Sequence, residues 1–282
     1  MAIVSQLAMR ITSIESKLLT EIRYLNAGRG PGDFYNDVVP VHRGFVDALP
    51  EGTSAIVVTA DLQGRETFKS AGGHPLRLLG EVLPAMLRAD VLPCLGLPKG
   101  DIGVLLAGDF YTVPALDKRG GSGEVRPVWD AFAAEFDWVA GVAGNHDTFA
   151  DGANRPSFTG PVHFLDNDHV TIGGVLIAGL SGITGNPRRP WRRTEDDYVE
   201  TLGTLLCEEP AITLLHDRPD APERGFRGSP RIREVLEEQG PGQNENTLVV
   251  RGHSHWPEPL AELSCGTQVL NVDARVVILT EI

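Results

Sequence analysis

Cysteine is scarce. Three thiols in 282 residues, at Cys94, Cys207 and Cys265, are too few and too scattered for a disulfide framework or a thiolate metal site. Their expected place is in the core, as small apolar residues of a protein from a reducing compartment. Long apolar runs are missing as well. No stretch approaches the ~20 apolar residues that a membrane helix needs, and no basic region leads into a compact apolar segment near Met1. A soluble, cytoplasmic chain with no membrane partner is expected. Positive charge is also short, since 25 Lys and Arg stand against 38 Asp and Glu, a net charge of −13. Such a chain repels a phosphate backbone, which excludes broad binding of long nucleic acid. Solubility accounts for most of the acidic excess, and clustered carboxylates able to hold divalent cations would account for part of it. There is no internal repeat and no low-complexity tract.

What is present is a globular composition, 41% hydrophobic and 22% charged, enough to bury a sizeable core. Apolar runs at residues 55–60, 102–107, 138–143, 175–180, 212–215 and 247–250 read as buried strands. Helical stretches lie between them, near residues 75–89, 125–136, 195–207 and 230–238. Two carry start signals: Thr194 with Asp197 three residues later, and Ser229 followed by Pro230 at the first helical position. Strand-like segments at residues 268–272 and 275–280 close the chain. Strand–helix alternation predicts an α/β fold with a largely parallel, covered sheet. Ahead of it, Val4, Leu7, Ile11, Ile14, Leu18, Ile22 and Leu25 recur at steps of three and four, one helical face. The glycine-rich segment at residues 26–33 then breaks the pattern. Residues 1–50 are therefore expected to form an N-terminal helix and linker, and residues 51–282 a single domain. The helix would pack on that domain or on a second copy of the chain, making a homo-oligomer.

The chemistry lies at the ends of five of the six buried runs. In order come Asp61-Leu62-Gln63, Gly108-Asp109, Gly144-Asn145-His146-Asp147, His216-Asp217 and Gly252-His253-Ser254-His255. Ligands in open α/β sheets bind outside the carboxyl ends of the strands, so these sets can converge in one crevice. Asp and Asn oxygens with His nitrogens suit hard or borderline divalent metals. Two such ions can clamp the attacking and leaving oxygens of an in-line displacement at phosphorus.

The order D-x-Q, GD, GNHD, H, GHxH resembles the calcineurin-like metallophosphoesterase superfamily over roughly residues 56–273, with Gln63 where that family has histidine. The resemblance implies a four-layer α/β/β/α sandwich around two mixed sheets, with residues 51–282 as one metallophosphoesterase domain. It implies two divalent ions, Mn, Fe or Zn, with Mn favoured by the amide at Gln63. Asp61, Gln63 and His255 would hold one ion, loosely. Asp109 would bridge, and Asn145, His216 and His253 would hold the other. His146 and Asp109 would be catalytic, His146 assisting the leaving group while a metal-activated water attacks. Gln63 is open between direct ligation and contact with a bound water. Asp117-Lys118-Arg119-Gly120 departs from the Asp-Arg-Gly of the protein serine/threonine phosphatases, which argues against that subclass.

A metal-dependent phosphomonoesterase or phosphodiesterase acting on a small phosphorylated molecule or nucleotide is the leading expectation. A weakly active or inactive binding scaffold on the same fold, and a nuclease of short nucleic-acid ends, are the alternatives. Arg188, Arg189, Arg192 and Arg193, in a Pro- and Trp-containing loop, and Arg65 beyond Asp61 are candidate grips for a substrate anion. A solvated loop paired with Glu195, Asp196 and Asp197 is the competing reading for the four loop arginines. His42, His74, His163 and His169 have no motif around them and are assigned ordinary surface or turn roles.

Overall fold

The structure, a computed structural model, describes residues 8–67, 76–98, 100–149, 155–238 and 247–282. Two mixed sheets organise it. The nine-stranded sheet runs Val162–Phe164, Trp138–Gly141, Ile102–Leu106, Ala55–Ala60, Arg275–Glu281, Tyr35–Val46, Thr20–Asn26 and Gly64–Arg65, with Ile11–Ile14 also paired to Tyr35–Val46. Its first four strands are parallel to one another. The six-stranded sheet runs Asp168–Ile172, Val175–Leu180, Ile212–Leu215, Leu248–Arg251, Gln268–Asn271 and Leu260–Glu262, with four parallel strands at its centre. The apolar runs become central strands because each is buried on both faces, which alternating sequence would not permit.

Alternate residues of those strands enter different cores. Ile56, Val58, Leu105 and Val142 meet Ile177, Ile212, Leu214 and Val250 between the sheets. The opposite residues of the first sheet, Val57, Val104, Leu106 and Val139, pack with helices Leu79–Met86 and Arg126–Glu135 through Leu83, Val128, Trp129 and Phe132. Those of the second, Leu180, Leu215 and Val249, pack with Glu195–Leu206 and Pro230–Glu238 through Tyr198, Leu202 and Ile232. Both start signals hold: Thr194 Oγ1 accepts from Asp197 N at 3.2 Å, and Pro230 opens its helix. The predicted helix at residues 75–89 begins at Leu79 and gives way to a π turn at Leu87–Val91. Pro75 and His74 lie outside the described residues.

The N-terminal helix is corrected. From Ile11 onward the chain forms strands Ile11–Ile14 and Thr20–Asn26, and the glycine-rich segment is the hairpin loop to Tyr35–Val46. Ile22 and Tyr24, both buried, alternate with exposed Glu21 and Arg23, a period of two that the steps of three and four concealed. These strands belong to the main sheet, so residues 8–50 are no separate appendage and an oligomer built on that helix loses its basis. The cysteines are corrected too: Cys94 and Cys207 are exposed and Cys265 half-buried, all three as free thiols. Each sits where a helical turn or loop leaves the core; Cys207 caps Glu195–Leu206. No helix among the described residues is long and apolar enough to cross a membrane.

Gln268 ties the two sheets together. Its Oε1 accepts from Ile11 N at 2.8 Å and its Nε2 donates to Ile11 O at 2.9 Å, so a buried side chain replaces a strand partner. Gln268→Leu would strand both backbone groups and is expected to lower the unfolding free energy by about 2 kcal/mol or more. Urea denaturation checks this, and an unchanged midpoint would remove the bridge from the account.

Candidate metal centre

Five strands from both sheets end at one rim and release their polar residues there. Asp61 follows Ala55–Ala60, Asp109 follows Ile102–Leu106, and Asn145 follows Trp138–Gly141 in the first sheet. His216 and His253 follow Ile212–Leu215 and Leu248–Arg251 in the second. Asp61, Asp109 and His253 turn the chain through left-handed φ of 55°, 59° and 67°, a conformation that side-chain-bearing residues hold only when their surroundings enforce it.

Two carboxylates do the enforcing. Asp147 Oδ2 accepts from the backbone N–H of Asp109 and of Gly144 at 2.8 Å each, and its Oδ1 accepts from Phe110 N at 2.8 Å. The Asp of GNHD thus staples its own loop to the GD loop. Asp61 Oδ2 accepts from His253 N at 2.8 Å and joins the two sheets. Glycine is required beside them: a Cβ on Gly144 would lie 2.0 Å from Asp109 Oδ1, and one on Gly252 2.4 Å from Asp61 Oδ2.

Asp109, His216 and His253 then offer ligand atoms that all lie within 4.8 Å of one another. His216 is fully buried, and its Nδ1 is 2.7 Å from Ala107 O. With Nδ1–H donated there, Nε2 presents a lone pair toward Asp109 Oδ2, 3.2 Å away, without a hydrogen bond of its own. A lone pair facing a buried carboxylate needs a cation between them, either a proton or a metal ion. Asn145 Oδ1, also buried, has no partner either. The donor set of two oxygens and two imidazole nitrogens fits a hard or borderline divalent ion.

The electrostatics agree. Burial alone would lower the His216 pKa, but Asp109 and then Asp61 push it up to about 10. Burial, and then His216, push His253 down to about 4, so it is neutral and ready to ligate. Burial would raise Asp109, yet His216 and His146 hold it below the ordinary carboxylate range.

The second predicted position does not assemble in the same way. Gln63 Nε2 donates to Asp109 Oδ2 at 3.3 Å instead of offering an oxygen. His255 faces the Arg275 guanidinium, whose Nη2 lies 3.0 and 3.1 Å from its ring nitrogens and 2.7 Å from Trp256 O. Burial, and then Asp273, hold the Asp61 carboxyl well above its ordinary range. No second group of three or more His, Cys, Asp or Glu donors converges this closely among the described residues. Asp273, which follows Gln268–Asn271, was missed in the sequence although it carries the same signal as the other strand-end residues. In the sequence Asp147 is only the last residue of GNHD, and nothing in its spacing announces three backbone donors.

His146 N donates to Asp109 Oδ1 at 2.8 Å, and its ring lines a cavity of about 220 Å³ together with Asn145, Ser122, Arg189 and Arg192. Ser122 Oγ stands 3.5 Å from His146 Nδ1. Two of the arginine expectations are corrected. Arg65 is buried, with its guanidinium donating to the carbonyls of Leu76 and Thr112 at 2.9 Å and of Val113 at 3.4 Å. Arg193 donates to Ser181 O and pairs with Asp166, both at 2.8 Å. Both hold the fold. Arg188 and Arg189 are exposed and Arg192 half-buried.

No family model matches the chain, and no curated protein matches it by sequence. Among solved structures it is similar to a purple acid phosphatase from the seeds of yellow lupin (Lupinus luteus). The TM-score is 0.38 at 14% identity, over 85% of this chain and 46% of that one. The chain thus spans less than half of that enzyme's length, and a likeness this distant assigns no activity; the chemistry rests on the side chains above.

To hold a divalent ion at neutral pH, His216 would have to give up its proton. Because the proton is held up to about 10, apparent metal affinity is expected to rise about tenfold per pH unit from 6 to 8.5. Competition against a chromophoric chelator measures it, and a flat profile would show that His216 is not a ligand.

Proposed function

We propose that this chain is a metal-dependent phosphoester hydrolase, and that its catalytic ion is held by Asp109, Asn145, His216 and His253. The observation that carries the reading is the meeting of Asp109, His216 and His253 within 4.8 Å, with His216 Nε2 unpartnered, and with a second unpartnered buried atom, Asn145 Oδ1, on the loop that Asp147 staples to Asp109. Manganese, iron or zinc fits a set of oxygens and imidazole nitrogens without sulfur, and manganese is favoured where the Gln63 amide takes part. The three cores are those expected of an α/β/β/α sandwich, which supports the same reading. Asp61, Gln63 and His255 form at most a weaker second position.

A divalent ion bound here offsets the negative charge of a phosphoryl group and lowers the pKa of a water beside it. The chain's own residues do the rest. Asp147 fixes the backbone that carries Asp109 and Asn145, so the ligands are preorganised before any ion arrives. His146, tethered through its backbone to Asp109, exposes its ring to the adjoining cavity, where it can protonate a departing oxygen or stabilise charge on it. The parallel strands exclude water from below, since Ala107, Leu106 and Ala143 are fully buried under the site.

Hydrolysis of an aryl phosphate monoester and of the matching diester, with each metal added singly against a chelator control, tests the proposal. Metal-dependent release of the phenol is expected. Asp109→Asn should cut kcat/KM by at least about 100-fold, beyond the ordinary effect of losing an outer-shell group. His146→Ala should cut kcat by about 10²- to 10⁴-fold with metal content unchanged. Turnover that survives Asp109→Asn would remove this centre from the chemistry. Metal bound at stoichiometry without turnover of any phosphoester would leave a binding protein on the same fold.

A further inference from the structure

The loop arginines decide between two uses, and their partners settle which acids they do not have. Glu195 and Asp196 engage Arg231, and Asp197 engages Arg193. Of the acidic run that could neutralise the loop, Glu195 and Asp196 are therefore committed elsewhere, and Asp197 meets Arg193 alone among the described residues. Arg188, Arg189 and Arg192 form no ion pair with any described residue, although the chain carries a net charge of −13. Three guanidinium groups held within five residues repel one another unless an anion from outside joins them.

The loop is also anchored at the metal centre rather than hung in solvent. At its base Gly182 N donates to Ala143 O at 2.8 Å, two residues before Asn145, and Thr184 N donates to Asp217 Oδ2 at 2.7 Å, next to His216. A two-residue parallel ladder pairs Ile183 with Arg192 and Thr184 with Arg193. Trp191 pins the far side, with ring centroids 6.3 Å from Phe149 and 5.7 Å from Phe164. Arg189 and Arg192 share the cavity of about 220 Å³ that Asn145 and His146 line. They also line a larger one of about 630 Å³, which continues to Arg188, Trp191 and Phe149. That volume falls in the range of small-molecule sites, and its wall mixes guanidinium with aromatic surface, its one carboxylate, Asp166, being paired with Arg193.

We propose that the substrate is a nucleotide-sized organic molecule carrying two phosphate groups, one at the metal centre and the other gripped by Arg189 and Arg192. Arg188 and Trp191 flank the organic body in the larger cavity. This rests on the metal-centred reading above. Hydrolysis is unchanged in its balance: water oxygen bonds to phosphorus, the ester P–O bond breaks, and the departing oxygen takes a proton. The arginines take no part in that exchange; they select the substrate by bidentate contact with its second phosphate.

The test compares adenosine 5′-monophosphate with adenosine 3′,5′-bisphosphate as substrates of the metal-loaded protein. The bisphosphate is expected to have a kcat/KM at least about tenfold higher, as befits charge-assisted contacts to one more phosphate. In the double variant Arg189→Ala/Arg192→Ala the ratio should fall toward one. Arg224→Ala, which removes a positive charge paired with Glu258 instead, should keep it. Calorimetric binding of the bisphosphate to the metal-free protein in chelator gives a second readout, with a loss of about tenfold or more expected in the double variant. A wild-type ratio near one, or a ratio that the double variant leaves intact, overturns the inference while leaving the hydrolase reading standing. Arginine-dependent binding in chelator with no metal-dependent turnover of either compound would show an anion site but overturn the bisphosphate as substrate, and the aryl-ester assay then decides the hydrolase reading separately.

Discussion

A buried carboxylate that must not stay alone organises this molecule. Asp109 lies at 2% exposure at the end of a fully apolar strand, where an isolated charge would be untenable. Its two oxygens are answered from different directions: Oδ1 by the backbone of His146, Oδ2 by the ring of His216 and the amide of Gln63. Each answer comes from another strand end, so the requirement to compensate one charge draws the rim together. His216 belongs to the second sheet and His146 to the first, which makes the site a property of the contact between sheets.

That dependence explains why so much backbone is held in left-handed turns at the rim. A strand buried on both faces cannot present a side chain sideways to a neighbouring sheet, and the sharp turn after it can. The cost of those turns is met by Asp147 and Asp61, whose oxygens take up backbone N–H groups that would otherwise point into a dry space. Burial and the nearby Asp109 push the Asp147 pKa up to about 6, a measure of how much negative charge is packed beneath the rim. A cation is the natural complement of that packing. The proton on His216 is the one the chain supplies by itself.

Much of this was legible in the sequence for a simple reason. Parallel strands covered on both faces are unbroken apolar runs, and the polar residue that ends each run is displayed at a predictable rim. Ala55–Ala60, Val175–Leu180 and Ile212–Leu215 fall where the runs fall, and Asp109, His216 and His253 meet as their order suggested. The illegible parts are those decided by residues far away in the chain. Thr20–Asn26 is a strand because Tyr35–Val46 offers it seven consecutive pairings, whatever its spacing of apolar residues. Gln63 and His255 lie in the right order, but Asp109 takes the amide of one and Arg275 takes the ring of the other. Arg65 follows Asp61 closely enough to look like a substrate grip, yet three carbonyls from two other segments consume its donors. Sequence order identifies which groups arrive at the rim and leaves open which way each one faces.

The arginines of this acidic chain show the same logic in reverse. Arg193, Arg231 and Arg233 each meet a carboxylate, the first and last in pairs that are mostly buried, and the exposed Arg231 pair adds little to stability. Pairing nonetheless has a consequence beyond energy, because it removes both partners from the field that a ligand feels. With Asp166 and Asp197 assigned to Arg193, and Glu195 and Asp196 to Arg231, the loop from Pro187 to Arg192 is left as a positive edge on a negative molecule. Negative charge is concentrated beneath the rim, where it would hold a cation, and positive charge stands beside it at the mouth of a cavity shared with His146. An anion approaching this rim therefore meets attraction over the loop and repulsion over most of the remaining surface. That separation needs the pairing pattern as much as it needs the arginines: Glu195 and Asp196, turned toward the loop instead of toward Arg231, would cancel most of its charge.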